Sequence, residues 1–300
     1  MKKFFTKLFL FTGLQLMIIS AIFAYLIIQD KNLNYPQGKT ESALISIPEN
    51  INTDILIMGS SHGRMFSRNK NHETVEKILK KQIINIGASA AGVVPEKLFL
   101  KYFFYKNNSA KTILYIIDPF VFSTSKWNED LYFLAEEPFK LDFFFLTLFS
   151  NVSIDVKYNY IKSKFKHDWH EYNASRMPVT TDSLSTPDSS SINSRIKAIY
   201  PDGLNLITFK KYDNYLQEIV QIARDHNTQI IFIIPPSLLG KQPLTDELIK
   251  SLQNLHTKYG YKYYDFSLSI PNSYYYYNHD HLNNNGIKYF TEKFIIQTIL

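Results

Sequence analysis

An α/β fold on an open, parallel, five-stranded sheet, three layers thick and flavodoxin-like, is what this chain of 300 residues predicts. Three observations point to it. Five short runs rich in β-branched and aromatic residues are spread along the chain, stretches of helical length stand between them, and 45% of the residues are hydrophobic. That is apolar surface enough for one large core. Strands alternating with helices pair in parallel and are covered on both faces.

The chain begins with something else. Residues 8–28 are 21 positions without a charge, with Thr12, Gln15 and Ser20 as the main polar interruptions, and a helix of about 20 residues spans the hydrocarbon core of a bilayer. A cleaved signal peptide is the competing reading. The run is longer than the usual core of about 7–15 residues, and no clear A-x-A site precedes Gln29. Lys2, Lys3 and Lys7 precede the run and none lies inside it. The positive-inside rule then puts the N-terminus in the cytoplasm and the rest in the periplasm or outside the cell. Residues 1–29 are expected to be a cytoplasmic tail and a transmembrane signal anchor. The absence of cysteine suits exposure to an oxidising space. Residues 30–52 are polar and rich in breakers (Lys31, Asn32, Asn34, Pro36, Gly38, Pro48, Asn50) and read as a tether, with the folded domain at 53–300.

Within that domain, strands are expected at 54–58, 82–86, 112–117, 229–234 and 261–266, and helices at 71–81, 95–105, 208–226 and 245–259. Residues 120–207, between the third and fourth strands, break the alternation. The stretches 131–149 and 152–165 are aromatic and read as helical, whereas 177–193 is rich in Ser, Thr, Pro and Asp and reads as a flexible surface loop. An insertion there lies at the carboxyl edge of the sheet, where ligands bind. It is either a lid or docking element or a passive excursion. The net charge of +6 owes three units to the N-terminal lysines, and no basic run with interleaved aromatics follows. Nucleic acid is not an expected partner.

The residues able to do chemistry stand at the ends of the expected strands. Gly59-Ser60-Ser61-His62 follows the first strand, and Asp280-His281-Leu282-Asn283 precedes the last helical stretch, 220 residues on from Ser61 to His281. A serine exposed in a strand-to-helix turn, with a distant histidine at a helix entrance, is how an open sheet brings a nucleophile to its base. The plainer reading is that Ser60 and Ser61 cap the helix that follows. The second strand ends in the small-residue turn Asn85-Ile86-Gly87-Ala88-Ser89-Ala90-Ala91-Gly92, where amides can approach a ligand closely. The third ends in Asp118-Pro119 and the fourth in Pro235-Pro236-Ser237.

These residues resemble the SGNH/GDSL hydrolases, and among them the membrane-anchored, DltD-like and alginate-acetylation-type branch. Gly59-Ser60-Ser61-His62 is similar to the family's nucleophile block and implies Ser61 as nucleophile. The second block, Asn-x-x-x-Ser-Gly, is similar to Asn85 through Ala90 and implies oxyanion amides from Ser61 and Ala90, with Gly87 in the same turn. Asp280-His281-Leu282-Asn283-x-x-Gly286 is similar to the final block and implies His281 as base.

Two departures are visible. The third strand ends in Asp118 where the family supplies an oxyanion-donating Asn, and an ionised carboxylate cannot donate. The orienting Asp expected three residues before His281 is Asn278, which can accept from the imidazole but brings no charge. Asp280 is a poorer orienter if the segment is extended, because adjacent side chains then diverge.

The resemblance implies acyl transfer or ester hydrolysis, with acetyl as the group and a cell-surface or exported polysaccharide as the substrate. No cofactor is implied, and a polytopic membrane O-acyltransferase is an implied partner. The alternative is a catalytically weak or inactive binding or assembly module. His62, Asp118 and Tyr277 are candidate substrate contacts. The plainer reading of His62 is a turn residue packed beneath the site, and the run Tyr274 to Tyr277 could be half core instead of a sugar platform. His167 and His170 have helical metal-ligand spacing but no matching carboxylates, so no metal is expected.

Overall fold

The computed structural model describes residues 1–32, 42–68, 71–130, 133–135, 137–165 and 183–299. A helix α1 (Lys2–Asn32) leads to a short turn of helix α2 (Ala43–Ser46). Next come β1 (Asn52–Gly59), α3 (Ser61–Arg64), α4 (Asn71–Leu79), β2 (Ile83–Asn85), α5 (Val93–Tyr105) and β3 (Ser109–Ile116). The insertion contributes α6 (Leu141–Leu148), α7 (Ile154–Ser163) and α8 (Ser189–Ile199), and then come α9 (Leu206–Asp225), β4 (Gln229–Ile234), α10 (Thr245–Tyr259), β5 (Lys262–Asp265) and α11 (Asn284–Phe290), beyond which helical turns run on to Ile299. All five strands are parallel, in the order β2-β1-β3-β4-β5.

Alternation along the strands builds the two outer layers. In β1, Leu56 and Met58 point to one face and join the core with Phe99 and Phe103 of α5, Leu216 of α9 and Leu252 of α10. Ile55 and Ile57 point to the other and pack on Val75 of α4 and on Ile287 and Phe290 of α11. The period of two sorts neighbouring apolar residues to opposite faces, so a continuous apolar run is buried on both. β4 and α10 occupy the residues expected from the sequence, and the other strands and helices differ by a few residues at their ends.

One helix among the described residues, α1, is long and apolar enough to cross a membrane (Lys2–Asp30). The expected tether is shorter than the sequence suggests. Residues 42–51 belong to the domain: Ala43 and Leu44 are buried, and the Glu137 carboxylate accepts from Ser42 Oγ (2.6 Å) and from the amides of Ala43 (3.1 Å) and Leu44 (2.8 Å).

The insertion differs in both halves. Its helices α6 and α7 lie inside the expected spans, but 137–140 is not helical, since Pro138 disfavours the helical region for the residue before it. In the stretch read as a loop, Asp188 caps α8 by accepting from the Ser191 amide (2.7 Å). The part of that stretch before Ser183 falls outside the described residues, as do His167 and His170.

Candidate active site

β1 ends at Gly59 with φ +137°, where a Cβ would stand 2.3 Å from the Ile116 carbonyl oxygen of β3. Only glycine lets the chain turn this close to its neighbour. The turn enters α3, and its two serines divide the work. Ser60 is the N-cap: its buried Oγ accepts from the His62 amide (3.3 Å) and donates to Asp118 Oδ2 (2.5 Å). Ser61 is the first helical residue and lines a cavity of about 590 Å³, with Oγ 2.7 Å from His281 Nε2.

His281 stands in the loop before α11. Asn278 Oδ1 accepts from the amides of Asp280 (3.1 Å) and His281 (2.8 Å), so the segment is a tight Asx turn and not an extended strand. The expected divergence of Asp280 and His281 is thereby overturned. His281 Nδ1 faces both Asn278 Oδ1 at 3.1 Å and Asp280 Oδ1 at 3.3 Å. Arg195 of α8 grips the same carboxylate as a fork, Nε to Oδ1 at 3.0 Å and Nη2 to Oδ2 at 2.8 Å. Sequence reasoning missed Arg195. The Asp188 cap could have signalled its helix, but nothing local couples it to a carboxylate 85 residues away.

A second imidazole lies beneath the first. The His62 ring stacks on His281 with centroids 4.3 Å apart, its Nδ1 is 2.8 Å from Asp118 Oδ1, and its Nε2 is 2.8 Å from the Asp280 carbonyl oxygen. Both partners turn acceptor atoms towards the ring, an arrangement that favours a charge on His62. Burial opposes that charge, yet Asp118 and Asp280 outweigh burial and hold the His62 pKa above its ordinary value. For His281, burial lowers the pKa and the neighbouring His62 charge adds to it, outweighing the pull of Asp280. Burial also works against a charge on Asp280, but His281, His62 and Arg195 prevail and keep this carboxyl far below the usual range. The site thus combines a neutral imidazole at the serine with an ionised carboxylate behind it.

Three expected roles change. His62 (6% exposed) and Asp118 (2% exposed) lie under the site and do not line the cavity, so they are no substrate contacts; Asp118 fixes His62 and Ser60 instead. The Gly87 amide is already donated to Asn85 Oδ1 at 2.9 Å and is not available to an oxyanion. Ala90, in the left-handed region at φ +56°, borders the cavity with Ser61, and neither amide meets an acceptor among the described residues. Of the tyrosine run, Tyr277 lines the cavity beside His281, whereas Tyr276 is fully buried and donates to the Ile270 carbonyl (2.7 Å). Arg64, Arg68, Lys126 and Trp127 also border the cavity, none of them singled out by the sequence.

Ligand atoms of His62, Asp280 and His281 lie within 4.8 Å of one another. A metal ion there would have to displace the Arg195 fork and take His62 Nε2 from the Asp280 carbonyl oxygen, so these residues do not fit one.

No family model and no curated protein matches the chain. A solved structure from Bacteroides fragilis NCTC 9343, provisionally described as an acylhydrolase, aligns over 90% of this chain and 92% of its own, at 10% identity and a TM-score of 0.40. A likeness that low in both measures carries no inference about chemistry, which has to come from the site itself.

Proposed function

We propose that this chain is a serine-dependent acyl hydrolase or acyltransferase with Ser61 as nucleophile and His281 as general base. The observation that carries the reading is the 2.7 Å contact between Ser61 Oγ and His281 Nε2, with a buried carboxylate at the other ring nitrogen. In the first step Ser61 Oγ bonds to the acyl carbonyl carbon while its proton passes to His281 Nε2. The negative oxygen meets the amides of Ser61 and Ala90. Collapse expels the alcohol, which takes the proton from His281, and leaves an acyl-serine. Water or a sugar hydroxyl then attacks that ester with His281 again as base, releasing acid or the acylated sugar and restoring Ser61.

The proposed group is acetyl and the proposed acceptor or substrate a cell-surface or exported polysaccharide. Support comes from the family resemblance, from α1 with its lysines on one side, and from a cavity of a size suited to a sugar and walled by Trp127, Phe120 and Tyr277. The expected topology places this cavity outside the cytoplasm. The non-catalytic alternative rested on Asn278 and Asp118; a carboxylate at Nδ1 from Asp280 weakens the first ground.

The test uses the full-length chain in detergent with a chromogenic acetyl ester and a fluorophosphonate probe. Hydrolysis and labelling are expected from the wild type and neither from Ser61→Ala, with Ser60→Ala still labelled. Equal turnover by the wild type and Ser61→Ala removes Ser61 from the chemistry. No labelling of a folded wild type favours the binding module.

A further inference from the structure

We propose that the helical hairpin α6–α7 is a second membrane contact, seated in the same leaflet as the C-terminal end of α1. The proposal rests on the reading that α1 spans the bilayer. The hairpin presents Phe145, Leu148, Phe149, Ile154, Tyr158 and Phe165 outward, with Phe149 84% and Ile154 72% exposed. A cluster of large apolar side chains of this kind on a water-facing surface marks a contact with something apolar.

The position of α1 identifies that partner as lipid. The uncharged positions 8–28 cover about 30 Å at a rise of about 1.5 Å per residue, the thickness of the hydrocarbon core, so none can be spared from the span. Yet the end of this stretch is packed on the domain. The Phe23 ring lies 5.2 Å from Phe144 and 6.4 Å from Phe145, Tyr25 stacks on Phe165 at 5.7 Å, and Leu26 is fully buried. Phe23 precedes Ile28 by five residues, which puts it about 7 Å inside the hydrocarbon boundary. Rings that touch Phe23 share its depth, within the ~5–10 Å at which interfacial helices lie. The domain cannot be lifted clear of the bilayer while these contacts hold.

The polar groups of the hairpin are arranged for that place. Lys140 pairs with Asp30 at 2.8 Å, just beyond the apolar stretch. Lys157 Nζ donates to the carbonyls of Leu148 and Ser150, both at 2.9 Å, and Ser150 Oγ donates to the Thr147 carbonyl at 2.7 Å. Three carbonyls at the tip of the hairpin, those of Thr147, Leu148 and Ser150, therefore meet donors within the protein, as backbone facing hydrocarbon must. Lys162 lies over the Tyr158 ring at 5.7 Å, a cation and an amphipathic ring of the kind found at headgroup level.

The chain has no cysteine, so single labels are clean. Phe149→Cys, Ile154→Cys, Met17→Cys and Leu268→Cys, the last exposed in the loop after the edge strand β5, are labelled with NBD in the full chain. Each is reconstituted in phosphatidylcholine–phosphatidylglycerol vesicles containing doxyl-labelled lipids. The expected result is blue-shifted emission and quenching by shallow doxyl groups at 149 and 154, quenching by deep ones at 17, and neither at 268. Labels at 149 and 154 that behave like 268 while 17 is quenched overturn the hairpin contact and leave the span standing. An unquenched label at 17 overturns the span and the hairpin contact with it. A blue shift at 149 without lipid quenching means that protein, another copy or a partner, covers the hairpin, and overturns the proposal as well.

Discussion

Replacing Asp280 with asparagine separates the two groups that face His281 Nδ1, one charged and one not. A carboxylate 3.3 Å from the ring nitrogen attracts a forming imidazolium by about 5 kcal/mol at an effective dielectric of about 20. Arg195 neutralises a large share of that from the far side of the same carboxylate. If about half survives, the loss is about 2–3 kcal/mol of transition-state stabilisation, a fall of about 30- to 150-fold in kcat/KM. Without its counterion the imidazolium is less stable, so the His281 pKa drops further and the acid limb of the pH profile moves to lower pH. Asn278→Ala removes a neutral acceptor and the two amide bonds of the turn that holds Asp280 at Nδ1; the Arg195 fork still anchors that carboxylate, so both the fall and the shift of the limb are smaller than for Asp280→Asn. The assay is hydrolysis of a chromogenic acetyl ester across the acid range, with melting temperatures to confirm that both variants are folded. If Asp280→Asn leaves the limb unmoved, or Asn278→Ala costs more, the carboxylate is not the electrostatic partner of His281 and the reasoning fails.

Three further outcomes follow from the geometry of the site and of the turn that carries it. His281 must be neutral to take the Ser61 proton, and burial and the His62 charge hold its pKa below the usual 6.5, so kcat/KM of the wild type falls only at a pH below that value; a limb centred above it refutes the assignment. His62→Asn, which removes the stacked charge, moves the limb upward. Gly59→Ala forces a side chain at φ +137° and 2.3 Å from the Ile116 carbonyl oxygen, and lowers the unfolding free energy by about 3 kcal/mol or more in urea titration. Unchanged stability would mean that this turn relaxes freely.

The parts of the fold that were legible are those whose signal is local. Gln229–Ile234 is one apolar β-branched run, and Thr245–Tyr259 is an amphipathic helix closed by Gly260 at φ +77°, so both lie where the sequence puts them. What was hidden depends on partners far along the chain. Ser42 to Ser46 looks like tether by composition and becomes part of the domain only because Glu137 gathers three donors from it. The serine-rich stretch from Ser189 resembles a linker until Asp188 caps it and Arg195 finds Asp280. In the site, turn chemistry marked the segments that carry Ser61 and His281, and the family resemblance, not the turn itself, chose Ser61 over Ser60 as nucleophile. The spent Gly87 amide could not be read in this way, because it hinges on which way the Asn85 side chain points.

The asparagine at position 278 is the instructive case. Three residues before the base, its neutral side chain brings no charge of its own to the imidazole. Its carbonyl oxygen instead accepts from the amides of Asp280 and His281, and that turn is what swings the Asp280 carboxylate round to Nδ1. The charge at Nδ1 thus comes from two residues further along the chain than Asn278, and Asn278 creates the conformation that brings it there. The new position has a cost of its own. A carboxylate in this turn is 1% exposed and already shared between two imidazoles, so it needs a firm external anchor, and Arg195 supplies one from the insertion. The insertion is therefore coupled to the base: whatever shifts α8 shifts Asp280, and through it the basicity of His281.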